Sequence, residues 1–185
     1  MNIGIVGKGF VGNAVFQKFK SFFNVYIYDT KKELSNSTHN NLVKNCKVIF
    51  VCVPTPMNND GSCNTDLVRE VFFKINKENK SIVVVNKSTV VPGTTEKLNN
   101  EFKNLEIVFN PEFLTERNAV EDFSNEDRII LGGSKKSTGL IKSIYSTVFS
   151  DANIIETDST NAEMIKYLTN SFLATKVSFA NEMYN

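Results

Sequence analysis

Ile3-Gly4-Ile5-Val6-Gly7-Lys8-Gly9-Phe10-Val11-Gly12 is the stretch whose reading decides the fold. Ile3, Ile5 and Val6 are β-branched and show no polar alternation, the pattern of a strand covered on both faces. A G-x-G-x-x-G follows at once and opens a helical pattern from Val11 onward. In that order, strand, turn and helix present unpaired N–H groups and a partial positive charge to a phosphate. Gly7 permits the tight turn, Gly9 lets the backbone approach a pyrophosphate, and Gly12 lets helix and strand pack closely. The second apolar run, 25–28, leads to Asp29, 20 residues beyond Gly9. A carboxylate there accepts hydrogen bonds from a ribose diol and repels a 2′-phosphate. The stretch therefore predicts an NAD site built from Gly7, Lys8, Gly9, Phe10, Val11, Gly12 and Asp29.

Working outward, short apolar runs at 3–6, 25–28, 48–53, 82–86, 106–109, 128–131 and 153–155 read as strands. Helical patterns occupy 11–22, 66–76, 94–103 and 137–149. Such alternation predicts an α/β fold, a doubly wound parallel sheet of Rossmann type with right-handed crossovers. Residues 158–185 lack Pro and Gly, and Asp158 or Thr160 is placed to cap a long helix. Its apolar stripe runs through Ile165, Leu168, Phe172, Phe179 and Met183. The expected organisation is a dinucleotide-binding domain over 1–157, followed over 158–185 by a helix that breaks off in search of a partner surface.

Two turns extend the predicted site. Val53-Pro54-Thr55-Pro56 ends the third strand, because Pro cannot continue a central ladder. Lys87-Ser88-Thr89-Val90-Val91-Pro92-Gly93 ends the fourth and brings two hydroxyls to the same carboxyl edge, where such sheets bind ligands.

Composition narrows the function classes. Lys plus Arg number 21 against 20 Asp plus Glu in 185 residues, which gives no footprint for nucleic acid or an anionic membrane. No apolar run approaches the roughly 20 residues needed to span a bilayer, and no secretory leader pattern is present. Cys46, Cys52 and Cys63 are odd in number and lack C-x-x-C spacing, so no disulfide framework, zinc site or other metal site is expected, and a reducing cytoplasm is. His39, the one histidine, reads as a surface loop residue in the polar run 35–41.

Five blocks in order, GKGFVG, VCVPTPMNNDG, KSTVVPGTT, NPEFLTERNAVEDF and AEMIKYLTNSFLATKVSFANE, resemble the UDP-glucose/GDP-mannose dehydrogenases across the whole chain. The pattern is most similar to the UDP-glucose 6-dehydrogenases, with the GDP-mannose and UDP-N-acetylhexosamine enzymes as alternatives. The resemblance implies oxidation of a sugar C6 alcohol to a carboxylate by two hydride transfers to two NAD, through a thioester on an active-site cysteine. It implies that Val53, Pro54, Thr55, Ser88, Thr89 and Glu116 line the further course of NAD. Phe113 and Leu114 would give backbone contacts to the sugar nucleotide. Glu112 would be the base for thioester hydrolysis, Thr89 would place a water, and Lys166 and Asn170 would stabilise oxyanions. Lys166 and Asn170 stand i, i+4, on one helical face. The plainer alternatives are surface pairs, Lys166 with Glu163 and Glu116 with Arg117. The glycine-rich segment that carries the family's nucleophile is missing from these residues, and none of the three cysteines matches its place. The expectation is therefore a chain that binds NAD without completing turnover, as a fragment or one piece of a split enzyme, and that pairs through its final helix with a second copy or with a complementing C-terminal chain. A free-standing, non-catalytic NAD-binding and dimerisation module is the other reading.

Overall fold

The structure, a computed structural model, describes residues 1–78 and 81–184; Asn185, the end of the predicted final segment, lies outside the described residues. Among the described residues seven strands form one sheet: β1 (Asn2–Val6), β2 (Asn24–Tyr28), β3 (Val48–Val51), β4 (Ile82–Asn86), β5 (Leu105–Phe109), β6 (Arg128–Gly132) and β7 (Asn153–Thr157). Their spatial order is β2-β1-β3-β4-β5-β6-β7. The helices are α1 (Phe10–Phe19), α2 (His39–Asn45), α3 (Asp66–Asn76), α4 (Thr94–Glu101), α5 (Ala119–Ser124), α6 (Lys135–Val148) and α7 (Ser159–Tyr184).

The two faces of the sheet follow from strand periodicity. Ile3, Ile5, Val48 and Phe50 pack with Phe19, Phe123 and Tyr145 from α1, α5 and α6. Ile49 and Val51 point the other way, onto Leu42, Val68, Phe72 and Leu98 from α2, α3 and α4. Around Phe19, the rings of Phe50 and Tyr145 meet it edge-on at centroid distances of 5.3 and 5.7 Å, the arrangement aromatic quadrupoles favour.

Three expectations need correction. Strands β1 to β5 run parallel, but β6 pairs antiparallel with β5, Phe109 facing Gly132, and β7 then follows β6 in parallel. Between β5 and β6 the chain forms only the six-residue α5, which packs on α1, so no crossover helix lies beside β5 to carry a parallel neighbour. Next, the polar run around His39 is not a loop: Thr38 caps α2 by accepting a hydrogen bond from the Asn41 N–H, and His39 is half-buried. Lastly, the third strand ends at Val51 rather than residue 53, although the Cys52 N–H still reaches the Val6 carbonyl at 2.8 Å.

β2 is an edge strand, and its free edge is covered by side-chain chemistry. The Asn36 amide accepts from the Ile27 N–H at 2.7 Å and donates to the Val25 carbonyl at 2.9 Å. The Asn36 and Ser37 N–H groups also donate to the Ile27 carbonyl, so this short segment replaces the ladder partner an exposed edge lacks.

α7 is 26 residues long, about 39 Å at 1.5 Å per residue. Asp158 caps it through the Asn161 N–H at 2.7 Å. Its first turns dock where Gly132 offers no side chain; a Cβ there would lie 2.5 Å from the Ala162 Cβ. Glu163 ties α7 to the start of α4 by accepting from the Gly93 and Thr95 N–H groups at 2.6 and 2.8 Å. Beyond Lys166 none of the described residues is buried: Leu168, Phe172, Val177, Phe179 and Met183 are all more than 60% exposed.

Candidate functional site

β1 lies between β2 and β3, so the direction of winding reverses there and a cleft opens above the carboxyl ends of β1 and β3. The glycine turn forms its floor. Gly7 sits at φ 89°, and a Cβ on it would come 2.6 Å from the Cys52 carbonyl oxygen. At Gly12 a Cβ would meet the Gly7 carbonyl oxygen at 1.9 Å, so helix and turn touch backbone to backbone. Gly9 differs from both: a Cβ there would meet nothing within 4 Å. It is the N-cap of α1, no side chain caps that helix, and no acidic residue occupies its first turn. An open backbone at an uncapped helix N-terminus fits a pyrophosphate.

Asp29 closes one end of this floor. Its carboxylate accepts from the Lys8 N–H at 2.7 Å and from the Lys31 N–H at 2.9 Å. Partial burial pushes its pKa up, but those two N–H groups, the Thr30 hydroxyl and the Lys31 charge outweigh it and hold the carboxyl below its ordinary range. Ser35 grips the backbone of the same residue, accepting from the Asp29 N–H at 2.8 Å and donating to its carbonyl at 3.1 Å. The cavity over the glycine turn and Asp29 measures about 410 Å³ and extends among Tyr28, Leu34, His39, Leu67 and Val71, with Glu70 and Lys74 also lining it. His39 stands edge-on to Tyr28 at 5.4 Å, and burial holds its imidazole below its ordinary range.

In the other direction the cleft passes Gly9, Cys52, Val53 and Pro54 into a second cavity of about 360 Å³, lined also by Phe10, Val11, Thr55, Lys87, Ser88, Thr89 and Glu112. Ser88 locks the turn after β3, accepting from the Val53 N–H at 3.1 Å and donating to its carbonyl at 2.7 Å. The Thr55 hydroxyl donates to the Thr89 carbonyl at 2.8 Å. Glu112 and Lys166, 54 residues apart, form a buried ion pair at 2.9 Å; the ammonium also donates to the Glu112 carbonyl, and the other carboxylate oxygen accepts from the Leu114 N–H at 2.7 Å.

The structure thus brings together Gly7, Lys8, Gly9, Phe10, Val11, Asp29, Val53, Pro54, Thr55, Ser88, Thr89 and Glu112 along one cleft, with Gly12 packed behind its turn and Lys166 joined to it through Glu112. Others stand apart. Asn170 is exposed, one turn beyond Lys166 on the same helical face. Glu116 is exposed in a separate shallow hollow beside Phe10 and Asn13. Phe113 is half-buried beneath the Lys166 ammonium, 5.4 Å from its ring, and Leu114 packs on the core beside α1. Neither plainer pairing forms among the described residues: Lys166 pairs with Glu112, and Glu163 serves α4. Burial pushes the Cys46 and Cys52 thiols up to about 11 and about 12, far from a reactive thiolate.

Sequence reasoning missed Lys87. It is 2% exposed at the carboxyl end of β4, and its ammonium donates to the Asn110 Oδ1 at 2.8 Å. The Tyr145 hydroxyl donates to that same oxygen, while the Asn110 Nδ2 donates to the Ile130 carbonyl at 2.8 Å. The available signal was a charge placed directly after the apolar strand 82–86, where no solvent awaits it. Ser35 and Asn36 carried no signal that distinguishes them from other loop residues.

Comparison with known proteins agrees with this geometry. The family model described as UDP-glucose/GDP-mannose dehydrogenase family, NAD binding domain, matches residues 25–150, and that of the same family's central domain matches residues 160–185. The chain belongs to this family. Its larger part is accordingly an NAD-binding domain. Over 156 residues it is 40% identical to a UDP-glucose 6-dehydrogenase of Rickettsia bellii, covering 80% of this chain and 36% of that one. The UDP-glucose dehydrogenase structure from Pyrobaculum islandicum superposes with a TM-score of 0.87 at 27% identity, over 98% of this chain and 52% of that one. The GDP-mannose dehydrogenase ternary complex from Pseudomonas aeruginosa gives 0.82 at 28% identity, over 98% and 52%. The chain therefore spans about a third of that curated relative and about half of those solved structures. Among the described residues no helix is long and apolar enough to cross a membrane, and no cluster of metal-ligating side chains occurs.

Proposed function

We propose that this chain is the cofactor-binding part of a cytoplasmic nucleotide-sugar 6-dehydrogenase that oxidises UDP-glucose to UDP-glucuronate with two NAD, organised as an NAD domain over 1–157 and a connecting helix from 158. The observation that carries this reading is the continuity of the cleft, from a carboxylate held by the amides of Lys8 and Lys31, across the open backbone at Gly9, to the cavity walled by Thr89 and Glu112. Asp29 takes the adenosine ribose diol, and the start of α1 takes the pyrophosphate. The nicotinamide half then follows Val53, Pro54, Thr55, Ser88 and Thr89, with Glu116 near its rim; bound NAD supplies the hydride acceptor.

The remaining roles rest on proximity and chemistry. Lys166, at 5% side-chain exposure, offers a fixed ammonium to a developing oxyanion, and Asn170 joins it when a further part of the protein or a partner covers that turn. Glu112, paired with that ammonium, acts as a base on a water that Thr89 helps to place when the pair opens. Phe113 and Leu114 present backbone to the sugar nucleotide. The thiol of the reaction is assigned to none of Cys46, Cys52 and Cys63, so the 185 residues alone bind NAD and do not turn over UDP-glucose. UDP-glucose is preferred to GDP-mannose because the relative at 40% identity carries that name; the solved structures, a UDP-glucose dehydrogenase at 27% and a GDP-mannose dehydrogenase at 28%, do not separate the two.

A second reading, a non-catalytic NAD-binding and dimerisation module, is favoured by one feature: the unpaired apolar stripe of α7, which calls for a second copy or a complementing chain. Calorimetry with NAD and then with UDP-glucose, followed by NADH production on adding a polypeptide that carries the rest of the family fold, separates the two. Restored turnover supports the enzyme; NAD binding with no turnover in any such mixture supports the module; no NAD binding at millimolar ligand refutes both.

A further inference from the structure

The chemistry proposed for the cavity uses Glu112, Lys166 and Thr89 but leaves Lys87 idle, although it is the charge most completely enclosed there. No carboxylate lies within ion-pair distance of it among the described residues. Its contacts are a neutral amide oxygen, that of Asn110, and the face of Phe123 at 5.4 Å. Glu112, the nearest acid of the cavity, is neutralised by Lys166. Glu126 feels Lys87 through space without a hydrogen bond to it, and burial pushes that carboxyl up to about 7, so near neutral pH it offsets the charge only in part. A buried ammonium without an anionic partner is costly, and whatever occupies the cavity experiences its field in a low-dielectric setting.

The occupant follows from the cleft. With a ribose diol at Asp29 and a pyrophosphate at Gly9, the second half of a dinucleotide continues past Cys52 and Val53 into the cavity that Lys87 helps to line. Oxidised nicotinamide carries a positive charge and the reduced ring carries none. We propose that Lys87 sets the redox preference of the bound cofactor, its enclosed ammonium disfavouring NAD+ relative to NADH and so favouring hydride acceptance. This rests on the NAD reading above.

The test measures dissociation constants for NAD+, NADH and ADP-ribose with the wild-type chain and with Lys87→Met, between pH 6 and 9. Met keeps the length and removes the charge. The expected result is a ratio of the NAD+ to the NADH constant about tenfold lower in Lys87→Met, with ADP-ribose affinity unchanged because it lacks the ring. Burial holds the Lys87 pKa below its ordinary range, so where the ammonium discharges the wild-type ratio should fall with rising pH. The groups facing Lys87 are Glu126, Cys52, Glu112 and Lys166, with Tyr145 beyond Asn110. Cys52 and Tyr145 stay protonated throughout because burial pushes both up; any slope that survives in Lys87→Met belongs to Glu126. An equal ratio in both proteins, with ADP-ribose bound normally, overturns the proposal and leaves the NAD reading intact. Should Lys87→Met not fold, Lys87→Gln is measured in the same way, and an unchanged ratio there overturns the proposal equally. Failure of the wild type to bind ADP-ribose sinks the NAD reading first, and this inference with it.

Discussion

The two ends of the cleft are built by different means. At the Asp29 end almost every contact is local or backbone: Asp29 is fixed by the amides of Lys8 and Lys31, Ser35 sits six residues away, and the glycines work by having no side chain. At the other end the contacts join distant segments through long buried side chains, Lys166 to Glu112, Lys87 to Asn110 and Tyr145 to Asn110. The first end is a shape that a short motif encodes. The second exists only once α6, α7 and the loop after β5 have packed. That end therefore depends on tertiary stability, whereas the first depends on turn geometry.

The contrast is open to attack in order of expected effect. Gly12→Val should do the most damage, because its Cβ would lie 1.9 Å from a backbone oxygen. At about 3 kcal/mol of overpacking, NAD affinity should fall about a hundredfold, read by calorimetry beside circular dichroism; wild-type affinity would show that helix and turn can part freely. Lys166→Ala leaves the Glu112 carboxylate buried without its cation, held by the Leu114 N–H alone, which should cost about 3 kcal/mol in denaturant unfolding. The double change Lys166→Met with Glu112→Gln should recover part of that loss, and a single-mutant cost below ~1 kcal/mol would mean the pair is solvated.

Asp29→Asn should weaken ADP-ribose about tenfold with little change in stability at pH 7, since an amide still accepts from Lys8. The pH dependence has a definite sign. Asp29 is held below its ordinary value of 3.8 in the folded chain. Its contribution to stability is therefore complete above that value and is lost as pH falls through the lower folded one. The wild type should lose stability more steeply than Asp29→Asn on acidification below about pH 4, measured by thermal unfolding; parallel curves would contradict the assigned hydrogen bonds. Asn36→Ala, the mildest, should cost about 1 kcal/mol and make the β2 edge prone to concentration-dependent association in light scattering.

The same contrast explains what could be read from the sequence. Gly7, Gly9, Gly12 and Asp29 were legible because their roles depend on spacing along one strand-turn-helix unit. All seven strands were legible from their apolar runs, and the parallel direction was legible up to β5. The reversal at β6 was not, because pairing direction depends on where α5 packs. The helix at His39 was hidden by its polar composition, as a seven-residue element capped by Thr38 buries only Leu42 and Val43. Glu112 and Lys166 were each singled out through family resemblance, yet their partnership across 54 residues has no local signature. Lys87 stood inside a quoted motif and was passed over, since burial of a charged side chain is a property of the packed sheet.

The most direct test is a crystal structure of the chain soaked with NADH. The account predicts the adenosine ribose hydroxyls on the Asp29 carboxylate, the pyrophosphate on the N–H groups at the start of α1, and the reduced ring in the cavity lined by Lys87, Thr89 and Glu112. A dinucleotide bound elsewhere, or one lying reversed along the cleft, would contradict it.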